Sequence, residues 1–211
     1  NFFISPLQSI PLILALDVIC SIGLWQQARI QADIPTFKVL TLGSLLGIPL
    51  GLSLLFLIPE NLLNILICLA LLGFSFALLF DFKLKNAQSL PVKLSFGVAS
   101  GLGTAGSSVG GPMIVSYMLS SDLTPNAQRA TMILFFIVSE LLALMGFFFS
   151  DAIDESFFIL LTSLVLPTLI SVRFGQQFFN KQPPKSLKHV ALPIMMMVSL
   201  LGLLKSVSTL I

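Results

Sequence analysis

Charge is what this chain has least of. Its 211 residues include nine Asp and Glu and eleven Lys and Arg, 9% of the whole, where a soluble domain carries about a quarter. That shortage excludes an ordinary soluble enzyme. A net charge of +2, with the basic residues dispersed in short connections, also excludes a nucleic-acid partner. Histidine occurs once, as His189. Cys20 and Cys68 each fall inside an apolar run, without the spacing that metal or redox chemistry needs. No metal and no cofactor is expected. No signal peptide is visible, since neither a basic region nor a small-residue cleavage site flanks the first apolar run. With no initiator Met before Asn1, the reading is that the natural beginning of the chain is missing.

What is present is apolar: 56% hydrophobic residues, nineteen Phe and a mean hydropathy of +1.02. The chain is therefore read as an all-α polytopic membrane protein. A helix needs about 20 apolar residues to span the hydrocarbon core, and six stretches qualify: about 2–25, 37–58, 61–80, 128–149, 156–178 and 187–206. A seventh, about 92–119, contains Ser100-Gly-Leu-Gly-Thr-Ala-Gly-Ser-Ser-Val-Gly-Gly-Pro112. Non-helical backbone at membrane depth is tolerated only where protein buries it or where it lines a watery cavity. Such a break points to a substrate site.

Sidedness follows from Lys and Arg, which favour cytoplasmic loops. If 92–119 crosses once, the positive charges divide almost evenly. If it enters, turns and leaves on the same side, ten of the eleven share the cytoplasmic side and only Lys205 lies opposite. The other side then holds Glu60, Asp151, Asp154 and Glu155. Charge favours a re-entrant hairpin, whose two arms would be about 14 residues each and reach past the midplane; the structural rival is a discontinuous single span.

With that topology three helices repeat upside down. Gly47-x-x-x-Gly51, Pro59 and Gly73 are echoed by Ser171-x-x-x-Gly175, Pro183 and Gly202. The expected architecture is an inverted repeat of a re-entrant hairpin plus three transmembrane helices, the plan of many alternating-access transporters. One domain is expected, with 1–85 the remainder of the first repeat and 86–211 the second. The first hairpin is expected to precede Asn1.

The break itself suggests its ligand. Pro112 after Gly110-Gly111 reads as the first turn of a half-helix, and a helix N-terminus attracts anions through free N–H groups and its dipole. Thr104, Ser107 and Ser108 add hydroxyls, and Gly103, Gly106, Gly110 and Gly111 permit close backbone approach. Small residues of this kind also serve simple helix packing. Arg129, at the cytoplasmic start of its helix, fits either an anion attractor or an interfacial anchor. Glu140 and Asp17 lie within spans, where ionisable residues are functional candidates; each fits a proton carrier for coupling or a neutral, hydrogen-bonded helix fastener. Gly106-Ser-Ser-Val-Gly110 matches the G-x-S-x-G pattern of serine hydrolases. That pattern needs a strand before it and a nearby histidine base. An intramembrane hydrolase using Ser108 and a non-transporting scaffold are the alternatives to a transporter.

Gly97-Val-Ala-Ser-Gly101, Gly110-Gly-Pro-Met-Ile-Val-Ser-Tyr117 and Thr124-Pro125 followed by Arg129-Ala-Thr131 resemble the second signature of the sulfite exporter TauE/SafE family. Pro6, Asp17, the loop with Arg29 and Asp33, and Leu46-Gly-Ile-Pro-Leu-Gly51 resemble its first half. The family's first glycine-rich signature is not in this sequence, and Ser107-Ser108 stands where relatives often have glycines. The resemblance implies a transporter of sulfite, sulfoacetate or another organosulfur anion, in the bilayer of a bacterial cytoplasmic membrane, not an enzyme. Apolar surface is normal in lipid, so it neither requires nor excludes a homodimer.

Overall fold

A computed structural model describes residues 6–59, 86–150 and 152–181, with isolated positions from 62 to 73 and at 197 and 201. Most of the spans expected at 61–80 and 187–206, and His189, lie outside the described residues. The elements are α1 (Pro6–Ile22), α2 (Trp25–Gln31), α3 (Ile34–Leu57), α4 (Leu90–Ser107), α5 (Gly111–Leu119), α6 (Pro125–Phe149) and α7 (Glu155–Lys181). All are helices. Ile34–Leu57, Asn126–Phe149 and Glu155–Gly175 are long and apolar enough to cross a membrane, and Leu7–Ile22 is a shorter apolar helix. The chain is an all-α integral membrane protein, as its composition implies.

Local sequence sets the helix starts. Asp33 caps α3, its carboxylate accepting the Thr36 N–H at 3.0 Å, and Thr124 caps α6 by accepting from Ala127; both helices carry proline in the first turn, where its missing N–H is harmless. The stretch from Gln26 to Thr36, read as a plain connection, instead holds α2 and the start of α3. Ala28 of α2 is buried against Ala130 and Leu134 of α6, and this burial stabilises a helix too short to persist alone.

The most extensive helix contact joins α3 to α4, and it is built from glycine. Gly43, Gly47 and Gly51 recur at four-residue spacing along one face of α3; Gly97 and Gly101 do the same on α4. A Cβ added at Gly101 would lie 2.6 Å from the Ser44 carbonyl oxygen, and one at Gly47 would overlap the Val98 carbonyl. The two backbones touch because no side chain separates them. Gly43 meets Gly97, Ser44 meets Gly101 and Gly51 meets Gly106, so α3 and α4 run in the same direction.

α6 runs the same way. Near its start the Asp33 N–H donates to Thr131 Oγ1 at 2.9 Å, and near its end Phe147 clusters with Leu55. α1 runs opposite, with Ile10 and Leu14 buried against Ala143 and Phe147. α7 follows α1, with Leu12 and Ala15 against Phe157. Between the parallel helices α4 and α6 the chain must come back, and α5 brings it. Ser100 Oγ donates to the Gly110 carbonyl at 3.0 Å, the Phe96 and Tyr117 rings lie 5.6 Å apart, and Ala87 shares a buried cluster with Tyr117 and Met118. α4 and α5 form a helical hairpin whose open end lies beside the starts of α3 and α6. Its arms are not equal halves: they have 18 and 9 residues. Residues 100–107 stay helical despite their glycines because Gly101 and Gly106 are pressed against α3.

Outside the membrane spans, Asp154 caps α7. Its carboxylate accepts from the Ser156 hydroxyl at 2.6 Å and the Phe157 N–H at 3.0 Å, and from Gln8 of α1 at 3.4 Å. The Ser156 bond, then the Phe157 bond, holds the Asp154 pKa below its ordinary 3.8.

Two outcomes follow from these contacts. Gly101→Ala should destabilise the protein by about 1–3 kcal/mol through overpacking, lowering the thermal unfolding midpoint in detergent. Gly175→Ala, where an added Cβ meets nothing within 4 Å, should leave that midpoint unchanged or slightly raised. Because the Asp154 pKa is depressed on folding, its stabilising effect is present above the ordinary value and is lost as pH falls through the lowered one. Unfolding of the wild type and Asp154→Ala should therefore differ at neutral pH and converge below about pH 4.

Candidate functional site

The turn of the hairpin is made by Ser108, Val109 and Gly110. Ser108 ends α4 in the left-handed conformation, φ 57° and ψ 23°. Its N–H donates to the Thr104 carbonyl and that of Val109 to the Gly103 carbonyl, both at 3.0 Å. A left-handed non-glycine residue costs about 1–2 kcal/mol, which this double closure of the helix end offsets. Gly110 is fixed differently: a Cβ there would collide with the Thr104 side chain and lie 2.5 Å from the Ser100 carbonyl oxygen. Only glycine lets α5 begin so close to α4.

Against this turn lies a cavity of about 310 Å³ lined by Leu14, Asp17, Ser21, Thr104, Ser108, Gly110, Gly111, Pro112, Phe136 and Glu140. Four elements build it. Leu14, Asp17 and Ser21 fall on one face of α1 by their three- and four-residue steps, and Phe136 and Glu140 are a turn apart on α6. α4 contributes Thr104 and Ser108, and α5 its first turn. No side chain caps the α5 N-terminus. A helix start without a capping side chain offers backbone N–H donors and the positive end of the dipole to whatever enters.

The two acids differ in setting. Glu140 is 7% exposed, and its Oε2 has no hydrogen-bond partner among the described residues. Asp17 is exposed. Glu140 sits within one turn of the middle of the Asn126–Phe149 span, so the cavity is at mid-depth. If round, it is about 8 Å across, and two full negative charges on its opposite walls would repel by about 2 kcal/mol. Among the described residues its walls carry no Lys, Arg or His.

Of the residues singled out in the sequence, Thr104, Ser108, Gly110, Gly111, Asp17 and Glu140 come together here. Gly103, Gly106, Ser107 and Arg129 do not line this cavity. Gly103 is buried under Val109 and Gly110, and Gly106 packs toward Gly51. The Ser107 hydroxyl donates back to the Gly103 carbonyl at 2.9 Å. Arg129 borders a separate cavity of about 110 Å³ with Leu24, Ala28, Gln31, Asn126, Ala130 and Ile133, about three turns from Glu140 along α6. Sequence reading missed Leu14, Ser21 and Phe136, although their helical spacing from Asp17 and Glu140 was the signal that could have found them. The G-x-S-x-G pattern lies at a helix–turn–helix junction, so the strand that a nucleophile elbow requires is replaced by α4.

Two substitutions at the turn should act in opposite directions. Ser108→Gly relieves the left-handed strain and should stabilise by about 1 kcal/mol. Gly110→Ala should destabilise by several times that, since the hairpin must open to admit the methyl group. Thermal unfolding of the two purified variants checks both signs.

A family model described as sulfite exporter TauE/SafE matches residues 1–202. Neither a comparison with curated proteins nor one with solved structures gives a match. The family match spans nearly every residue, including all four elements that line the cavity. The chain belongs to the sulfite exporter TauE/SafE family, a family of membrane transporters.

Proposed function

We propose that this protein is a secondary transporter that binds a small sulfur oxyanion or sulfonate, such as sulfite or sulfoacetate, at the turn of the α4–α5 hairpin. The observation that carries this reading is the mid-depth cavity whose wall includes the N-terminus of α5, with no capping side chain, and the Thr104 and Ser108 side chains. Three features make it an anion site without a full positive charge. The dipole end of a nine-residue helix faces it, hydroxyl-bearing residues line it, and the surrounding apolar helices keep the effective dielectric low. At about 310 Å³ it accommodates a small oxyanion together with several waters, each taking about 30 Å³.

The helix directions support a re-entrant hairpin and alternating access. α1 and α3 run opposite to one another, and so do α6 and α7, with the order of directions reversed. That is the pattern of an inverted repeat, in which a fixed midplane site is exposed first to one side and then to the other. The distribution of positive charges supports a cytoplasmic open end for the hairpin, and the membrane is taken to be the bacterial cytoplasmic membrane.

Uptake of labelled sulfite into proteoliposomes, with sulfoacetate, taurine and sulfate as competitors, tests the reading. Saturable flux is expected. Ser108→Ala should weaken half-saturation about tenfold, the loss of one hydrogen bond to a charged group, with the maximum rate little changed. Absence of flux with all of these anions, from folded protein, would overturn the reading.

A further inference from the structure

The cavity holds a contradiction that the transporter reading leaves open: an anion is asked to enter a space whose only charged side chains, among the described residues, are carboxylates. Asp17 and Glu140 line it from α1 and α6, and both belong to the same wall system as the α5 N-terminus. Around Glu140 the neighbouring elements bring no compensating cation among the described residues. α1 presents Asp17, with Cys20 a turn further along. α4 presents Thr104 and Ser108, and α5 its first-turn backbone. Tyr117 of α5 is turned to Phe96. Lys93 is at the open end of the hairpin, donating to Thr36 Oγ1 at 2.9 Å, and Asp33 is held in the α3 cap. Arg129 borders the separate cavity. No described charge of α3 or α7 lines the site.

The placement of the two acids also follows the internal repeat. The register that sets Gly47 on Ser171 carries Asp17 to Leu141, the residue next to Glu140. One acid thus comes from the corresponding helix of each half, and both line the cavity at the hairpin turn. A carboxyl group serving only as a helix fastener would be bonded on both oxygens; the buried Glu140 Oε2 has no partner among the described residues, and Glu140 is one of the residues that line the cavity.

We infer that Asp17 and Glu140 form a proton-binding pair whose protonation admits the anion, so that proton and anion occupy the cavity together. This rests on the anion-site reading above. With both carboxylates ionised, the pair repels an incoming anion and cancels the helix dipole. One proton, taken from the side to which the cavity is open, removes one negative charge and makes Glu140 a hydrogen-bond donor toward the anion. Release on the opposite side returns both. The proton crosses with the anion in the same direction, and no bond other than the carboxyl O–H forms or breaks.

Proteoliposomes holding the full chain test this with labelled sulfoacetate. In the wild type, an inward proton gradient should accelerate uptake, and anion exchange at equal pH should slow as pH rises. In Glu140→Gln, which keeps a neutral donor, exchange should lose its pH dependence, while gradient-driven accumulation falls about tenfold or more. Asp17→Asn should weaken the gradient effect in the same direction. Infrared spectroscopy supplies an independent readout: a protonated-carboxyl C=O band that grows as pH falls in the wild type should be lost in Glu140→Gln. Gradient-driven flux unchanged in both variants would overturn the pairing while leaving the anion site standing. Flux driven by sodium and indifferent to pH would overturn the proton and assign the pair to a cation. Absence of any wild-type anion flux would instead overturn the reading on which the pair rests.

Discussion

Contact between bare backbones at α3 and α4 is the constraint on which the rest of the molecule depends. In lipid the hydrophobic effect does not drive helices together, so close approach through small residues, which maximises dispersion contact, becomes the main adhesive. The glycines of α3 and α4 interlock over more than two turns, from Gly43 opposite Gly97 to Gly51 opposite Gly106. This holds α4 helical through a sequence that would otherwise be a poor helix former, since each glycine costs about 1 kcal/mol relative to alanine. It also fixes where the helix ends. The turn at Ser108 to Gly110 follows directly on Gly106, which packs toward Gly51, and Val109 is buried in one cluster with Ile48 and Leu55 of α3.

From that position the chemistry follows with few further assumptions. A chain that reverses inside an apolar bundle exposes the end of one helix and the start of another, and their backbone dipoles point into the same space. The α4 terminus closes its carbonyls through Ser108 and Val109; the α5 start has no capping side chain. The result is a cavity with backbone N–H donors and, among the described residues, no cation in its lining, placed where a full positive charge would be costly. In the reading proposed above, protonation of the carboxylates that line it gives the cavity a second state, as coupled transport requires.

Much of this was legible in the sequence. Asp33, Thr124 and the prolines after them mark helix starts. Pro112 marks α5, and the distribution of Lys and Arg favoured a hairpin over a single crossing. What could not be read was tertiary. Gly101, Gly103 and Gly106 look like a broken backbone until α3 is placed against them, so the break was read too broadly and the arms as equal. α2 was hidden because seven residues carry little periodic signal and its stability comes from Ala28 against α6. Arg129 was grouped with the anion site by proximity in sequence, yet the return path through α5 and the start of α6 sets it about three turns away from Glu140. Ser21 and Phe136 went unnoticed because each is ordinary in a membrane helix until its neighbour is known to be an acid.

The most direct measurement is accessibility labelling of single cysteines introduced at Gln88, Ser108 and Asp122 in a variant lacking Cys20 and Cys68, reconstituted with known orientation. Gln88 and Asp122 are exposed at the two ends of the hairpin. A membrane-impermeant maleimide should label both from the same side, and sulfite should slow labelling at 108. Labelling of 88 and 122 from opposite sides would show that the segment crosses the membrane, and would contradict a hairpin that turns at an anion site.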